Sequence, residues 1–176
     1  MAPEEKSRLE KLDSILRSDI VREKISPIIS RVCTELTQKP EALMTWEPIP
    51  LEVFDRALPI DIQSSWVFVL RTGSDTGAER HPNSHQRMMS IQGSGDMRTE
   101  QGGTWRSNFL ISDPIAPLEQ RWISIPPNVW HRPVIGKEGH WVVVSFHTVS
   151  AGELIEERPT VGMAGETKQM KYLEQK

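Results

Sequence analysis

Apolar residues recur at helical spacing from Glu4 to about Leu36, where Leu9, Leu12, Leu16 and Ile20 form one stripe among charged positions. The pattern predicts two helices broken near Ser26-Pro27, because a proline fits the first turn of a new helix, where its missing N–H costs nothing. The second helix would carry Ile28, Ile29, Val32 and Leu36 and end at Thr37-Gln38-Lys39-Pro40. After Trp46-Glu47-Pro48 the period changes. Short runs rich in Val, Ile, Phe and Trp are separated by Gly, Pro, Asp and Asn, the punctuation of strands and turns. Strands are predicted over 53–58, 65–71, 78–81, 85–92, 95–100, 103–111, 120–125, 131–134 and 140–149. Many short strands with no helices between them imply a mainly β sandwich or barrel, and a jelly roll manages its edges by closing two sheets on each other. From Ala151 the chain turns polar, and its final stretch reads as poorly ordered. The chain thus divides into an N-terminal helical segment over 1–45, a β-barrel over 46–150 and a polar C-terminal tail over 151–176.

A length of 176 residues suits one domain that buries a core without staples. The N-terminal helical appendage is expected to pack on the barrel or to pair subunits, which makes a homodimer a candidate assembly. Cys33 is the lone cysteine, so no intrachain disulfide forms, and no stretch has the charged start and apolar core of a signal peptide. A cytoplasmic, reducing setting is the expectation. With 21 Lys+Arg against 24 Asp+Glu, the chain lacks the basic field that draws proteins to nucleic acid or anionic membranes. The longest apolar runs, such as Trp141-Val142-Val143-Val144, are strand length rather than membrane-span length. Six tryptophans stand against one tyrosine, and Trp66, Trp105, Trp122, Trp130 and Trp141 fall in or beside predicted strands, where core packing is the expected role.

The candidate chemistry lies in two segments. The first, Glu79-Arg80-His81-Pro82-Asn83-Ser84-His85-Gln86, runs through Met88-Met89-Ser90-Ile91 into the turn Gln92-Gly93-Ser94-Gly95, and the second, Ile125-Pro126-Pro127-Asn128-Val129-Trp130-His131, leads through a proline-rich turn into a strand. Residues two apart on a strand share a face, so Glu79 and His81 pair a carboxylate with an imidazole. Two imidazoles and one carboxylate on one side of a metal, with positions left open, form the facial triad of non-haem iron(II) oxygenases. His81 and His131 are the predicted ligands, and either Glu79 or His85 completes the set. Past the turn Pro82-Asn83-Ser84, Gln86, Met88 and Ser90 would face inward while His85 lies at the rim. His140 and His147 have opposite parity on the last strand and are read as packing or surface residues.

These segments resemble the motifs of the cupin superfamily, in which His-x-His precedes a Gly-x-Gly turn and a second motif reads Pro-Pro-Gly-x-x-His. The resemblance implies a double-stranded β-helix, the jelly-roll barrel. Within cupins the first segment is most similar to the cysteine dioxygenase family, on His81-Pro82-Asn83-Ser84-His85, Gln92-Gly93 and Arg132 after the last ligand. Phe54-Asp55-Arg56-Ala57-Leu58 is similar to that family's aromatic-x-Arg-x-Leu strand, which implies that Arg56 holds a substrate carboxylate through its planar fork. Two positions depart from the family. Glu79 stands where it has its first metal histidine, and Gln86 stands where it has a cysteine. With Tyr172 in the tail, the family's cysteine-tyrosine crosslink cannot form. The expected protein is a thiol-dioxygenase-like iron(II) enzyme that uses dioxygen on a small, carboxylate-bearing substrate, with Arg56, Gln86 and His85 assisting at the site. Zinc, manganese or nickel would instead mark a non-redox lyase or isomerase, and an eroded ligand set would leave a small-molecule-binding or assembly module.

Overall fold

Ser18, not Pro27, punctuates the N-terminal helices. The structure, a computed structural model, describes residues 1–54, 57–160 and 165–175. Helix α1 spans Pro3–Arg17 and α2 spans Asp19–Gln38. Ser18 is extended, with φ −65° and ψ 140°, and its side chain accepts from the Val21 N–H at 3.4 Å as the N-cap of α2. Pro27 lies inside α2, where its missing N–H and ring clash cost roughly 3 kcal/mol. Val21, Ile25, Ile28, Val32 and Leu36 are all buried on this helix, and each such side chain stabilises by about 1.5–3 kcal/mol. Burial of that stripe outweighs the proline, so the break expected at Ser26-Pro27 does not occur.

The strands that follow are β1 (Met44–Pro48), β2 (Ser64–Leu70), β3 (Gln86–Gln92), β4 (Ser94–Gln101), β5 (Thr104–Arg106), β6 (Phe109–Ile111), β7 (Trp122–Ile125), β8 (His131–Val134), β9 (Trp141–His147), β10 (Ile155–Pro159) and β11 (Thr167–Lys171). One sheet has the order β1-β2-β9-β3-β7, and a second has β5-β4-β6 with β8 also paired to β4. All of these pairings are antiparallel. Strand parity divides the first sheet into two apolar faces. Val67, Val69, Met89, Val142, Val144 and Phe146 pack with α1 and α2, whereas Trp66, Phe68, Met88, Trp141 and Val143 pack with Met97, Leu110 and Ile135 from the second sheet's side. The first sheet is therefore sandwiched, which is why β2 and β9 are buried along their whole length. The β3–β4 turn needs its glycines. Gly93 has φ 75°, and a Cβ on Gly95 would lie 2.2 Å from the Trp141 ring.

Several predicted strands differ from the observed elements. The predicted strand over 53–58 begins instead as a 3-10 helix, Leu51–Phe54, and Asp55 and Arg56 lie outside the described residues. Over 78–81 the chain makes only the isolated bridges Glu79↔His131 and Arg80↔Glu157. The stretch over 103–111 splits into β5 and β6, and Gln120-Arg121 complete the short helix α3 (Leu118–Arg121) before β7. Trp105 is 38% exposed, with Arg132 lying over its ring, so it is no core residue.

The largest correction concerns the tail. It folds back as the antiparallel hairpin β10-β11 followed by a 3-10 helix, Tyr172–Gln175. Tyr172 is 1% exposed and packs against Trp46, Trp66 and Phe68 with ring centroids 4.9, 5.3 and 5.9 Å away. Charge misled the sequence reading here, since Glu157 is buried because Arg80 bonds both of its oxygens, at 2.9 and 3.0 Å. Among the described residues no helix is long and apolar enough to cross a membrane.

Two carboxylates tie α1 to the barrel. Asp13 accepts from Arg121 and from Trp122 Nε1 at 2.9 Å, and Glu5 accepts from Arg87 at 2.7 and 3.0 Å and from Ser124 Oγ at 2.6 Å. Burial pushes the Glu5 carboxyl up, but the hydrogen bonds and charge of Arg87 together with Ser124 prevail and lower it from 4.5 to about 2. A depressed folded-state pKa contributes stability that is present above the unfolded value and lost as pH falls through the folded one. Urea midpoints should therefore drop from about pH 4.5 towards pH 2. Glu5→Gln should be less stable at neutral pH by on the order of 1 kcal/mol after solvent screening, and its midpoint should vary less across that window.

Candidate metal centre

The backbone brings the site together before the side chains do. Glu79 and His131 exchange both main-chain hydrogen bonds, N–H to O, each at 2.8 Å. Residues so paired are direct cross-strand neighbours with side chains on one face. Upstream of His131, Asn128 adopts φ 65°, a left-handed conformation that asparagine tolerates, and its N–H donates to the His81 carbonyl at 3.2 Å. The turn is thereby fastened to the segment that carries His81.

The side-chain donor atoms of Glu79, His81 and His131 all lie within 4.8 Å of one another. His81 and His131 are 4% and 1% exposed. His81 Nδ1 is 3.0 Å from the Ile155 carbonyl, and His131 Nδ1 is 3.1 Å from the Val129 carbonyl. A carbonyl only accepts, so each Nδ1 carries the proton and donates it. In the neutral rings both Nε2 lone pairs are then left for another partner. His131 Nε2 is buried without a hydrogen-bond partner among the described residues and faces Glu79 Oε1 at 3.5 Å. A lone pair facing a carboxylate oxygen in a buried setting calls for a cation between them, or for a proton on the nitrogen.

The protonation states suit ligation. Burial raises Glu79, but the close approach of the His131 ring and the positive charge of the Arg158 guanidinium overcome it and lower the carboxyl to about 2. Burial, with the His131 charge, lowers His81 from 6.5 to about 4, against the opposing pull of Glu79. At neutral pH the carboxylate is charged and the His81 imidazole neutral, the forms that bind a divalent metal. This donor set fits one.

Residues outside that set shape its surroundings. From β10, Arg158 donates to Glu79 Oε2, to Glu156 Oε1 and, at 2.8 Å, to the Thr76 carbonyl. His147 is 1% exposed and stands edge-on to His81, with centroids 5.1 Å apart and its nitrogens 3.2 and 3.3 Å from Ser84 Oγ and Ser145 Oγ. Gln86 lies opposite His147 in the β3-β9 register. Gln86 Oε1 and Trp66 Nε1 are buried with no hydrogen-bond partner among the described residues. The Tyr172 ring lies 6.3 Å from His81.

Of the sequence candidates, Glu79, His81 and His131 converge, and Gln86 stands near them through His147. His85 does not join them. Its Nε2 is 2.7 Å from Ser124 Oγ and 3.8 Å from Glu5 Oε1, on the face that meets α1. It therefore lies apart from the cluster of Glu79, His81 and His131, on the opposite side of the chain from Gln86. Arg56 lies outside the described residues. The sequence reading missed His147, Arg158 and Tyr172. Parity could have found His147, because Trp141, Val143, Ser145 and His147 alternate with the helix-facing Val142, Val144 and Phe146.

No family model matches the chain, and no curated protein matches it. Among solved structures, CapF with the inhibitor 3-isopropenyl-tropolone is 11% identical, with a TM-score of 0.50 over 64% of this chain and 30% of that one. CapF from Staphylococcus aureus is 13% identical with a TM-score of 0.49, over 62% and 27%. A formate complex of oxalate decarboxylase from Lactobacillus farciminis is 14% identical with a TM-score of 0.47, over 61% and 29%. The chain spans less than a third of the length of each of these proteins. The likeness at 0.50 bears on fold alone, and the fold is a cupin-type jelly roll with N-terminal helices.

Proposed function

We propose that this chain is a mononuclear metal-dependent dioxygenase, with iron(II) as its metal and a small, carboxylate-bearing molecule as its substrate. The observation that carries the reading is the buried convergence of Glu79, His81 and His131 with both Nδ1 atoms already committed to carbonyls. Iron(II) held there would supply the open positions and the redox couple that dioxygen chemistry requires. The chain's own residues bind and orient. Trp66 Nε1–H is an unspent donor and Gln86 Oε1 an unspent acceptor, both on the interior wall beside the ligands. Tyr172, Trp46, Trp66 and Phe68 make that interior apolar and exclude water. Arg56 remains the expected anchor for the substrate carboxylate. Cys33 is half-buried on α2, in the helix-facing cluster, so substrate oxidation here would proceed without a cysteine crosslink.

A second reading has one observation in its favour. Arg158 already neutralises Glu79, so the carboxylate can be satisfied without a metal, as in a barrel that only binds a small ligand. Elemental analysis of untagged protein, followed by oxygen uptake with a panel of thiols and small carboxylates, separates the readings. Near-stoichiometric iron with substrate-dependent uptake is expected. Zinc, manganese or nickel without uptake would favour the lyase or isomerase, and no metal after anaerobic iron loading would leave the binding module.

A further inference from the structure

We infer that Arg158 is a positioning residue that restricts Glu79 to a single ligating oxygen, so that the site keeps room for a chelating substrate and a second small ligand together. The inference rests on the metal-centre reading above and concerns what the C-terminal hairpin adds to it. Each of the three guanidinium nitrogens of Arg158 donates a hydrogen bond: Nη2 to Glu79 Oε2, Nε to Glu156 Oε1 and Nη1 to the Thr76 carbonyl. A guanidinium held through all three nitrogens cannot swing round to present its fork to a substrate carboxylate without breaking those bonds, so its role is exerted through Glu79. Glu79 Oε1 is the oxygen left facing His131 Nε2, at 3.5 Å.

The consequence is one of coordination count. A carboxylate can bind a metal through one oxygen or through both. With Oε2 held by Arg158, Glu79, His81 and His131 supply three donor atoms, which leaves three positions on an octahedral ion. A substrate that chelates through two atoms fills two of them and one remains. Were Oε2 free to bind as well, only two positions would be open and the chelate would close the site. The same hairpin also fixes a second ligand, since Ile155 O accepts the His81 Nδ1–H at 3.0 Å. The segment that reads as a polar tail thus orients two of the three ligands.

The test uses Mn2+, whose water-proton relaxation reports how many exchangeable waters it carries. Arg158→Met/Glu156→Gln removes one positive and one negative charge together, so Glu79 regains Oε2 with no change in local net charge. Wild-type protein should bind Mn2+, and in the double variant bound Mn2+ should relax water about one-third less, as one open position of three is lost. Arg158→Lys keeps a cation on Glu79 and should retain the wild-type value. If the double variant does not fold, Arg158→Gln is read in the same way. An unchanged or increased relaxation with Mn2+ still bound would overturn the role given to Arg158 and leave the metal centre standing. Absence of Mn2+ binding by wild-type protein would instead remove the metal-centre reading, and this inference with it.

Discussion

His131→Ala should fold and fail to hold a divalent metal, while His85→Ala should retain full metal content. His131 is 1% exposed, and its Nε2 has no hydrogen-bond partner among the described residues, so removing the ring deletes one of three candidate donors at the cost of a single protein hydrogen bond, from Nδ1–H to the Val129 carbonyl. Even the outer partners of metal-bound histidines are worth roughly 10- to 100-fold in affinity, so loss of a ligand itself should exceed about a hundredfold. His85 lies on the other side of the strand, bonded to Ser124 beside Glu5, and its loss should register in stability rather than in metal. Competition titration against a chelator of known affinity, together with elemental analysis, measures both. Metal retained by His131→Ala, or lost from His85→Ala, would break the assignment of the site.

The contrast between these two histidines also marks what the sequence could reveal. That Glu79 and His81 come together was legible because two-residue spacing on extended chain is a local rule, and that His131 joins them because a proline-rich turn re-aims the strand that follows. Asn128, in the turn before His131, takes a left-handed conformation that asparagine tolerates. The β-barrel was visible in the change of period after Trp46. The helix break was not, because it depended on weighing one proline against a buried stripe that only the tertiary structure defines. Whether Glu79 or His85 stands with the two histidines is open in the sequence for a similar reason. The turn Pro82-Asn83-Ser84 interrupts the alternation, and what settles the parity beyond it is pairing with β9, far along the chain. Least visible was the tail. Thr167-Lys168-Gln169-Met170-Lys171 has no apolar alternation, and Glu156, Glu157 and Arg158 look like a solvated charge run until their partners Arg80 and Glu79 arrive from elsewhere.

Tyr172→Ala should be the most destabilising single change in the C-terminal segment and should weaken metal binding at the same time. The ring is 1% exposed and fills the space among Trp46, Trp66 and Phe68, so its truncation removes buried aromatic surface and leaves a cavity. Losses of about 3–5 kcal/mol are usual for aromatic-to-alanine changes in a core. The effect on metal follows from connectivity. The Tyr172 N–H donates to the Leu154 carbonyl at 2.9 Å, which closes the hairpin that carries Ile155 and Arg158 to His81 and Glu79. Loosening the ring frees the element that orients two ligands. Tyr172→Phe separates packing from chemistry. Burial, with the charges of Glu79 and Glu156, pushes the phenol well above its ordinary pKa, so it stays neutral and its loss removes no charge. The phenylalanine variant should remain within about 1 kcal/mol of wild type, as a near volume-conserving swap, and should keep its metal. Urea denaturation and chelator competition on the two variants give the comparison. A Tyr172→Ala protein as stable as wild type, or one that binds metal with undiminished affinity, would mean that the hairpin is held by its ion pairs alone and that the aromatic plug contributes nothing to the centre.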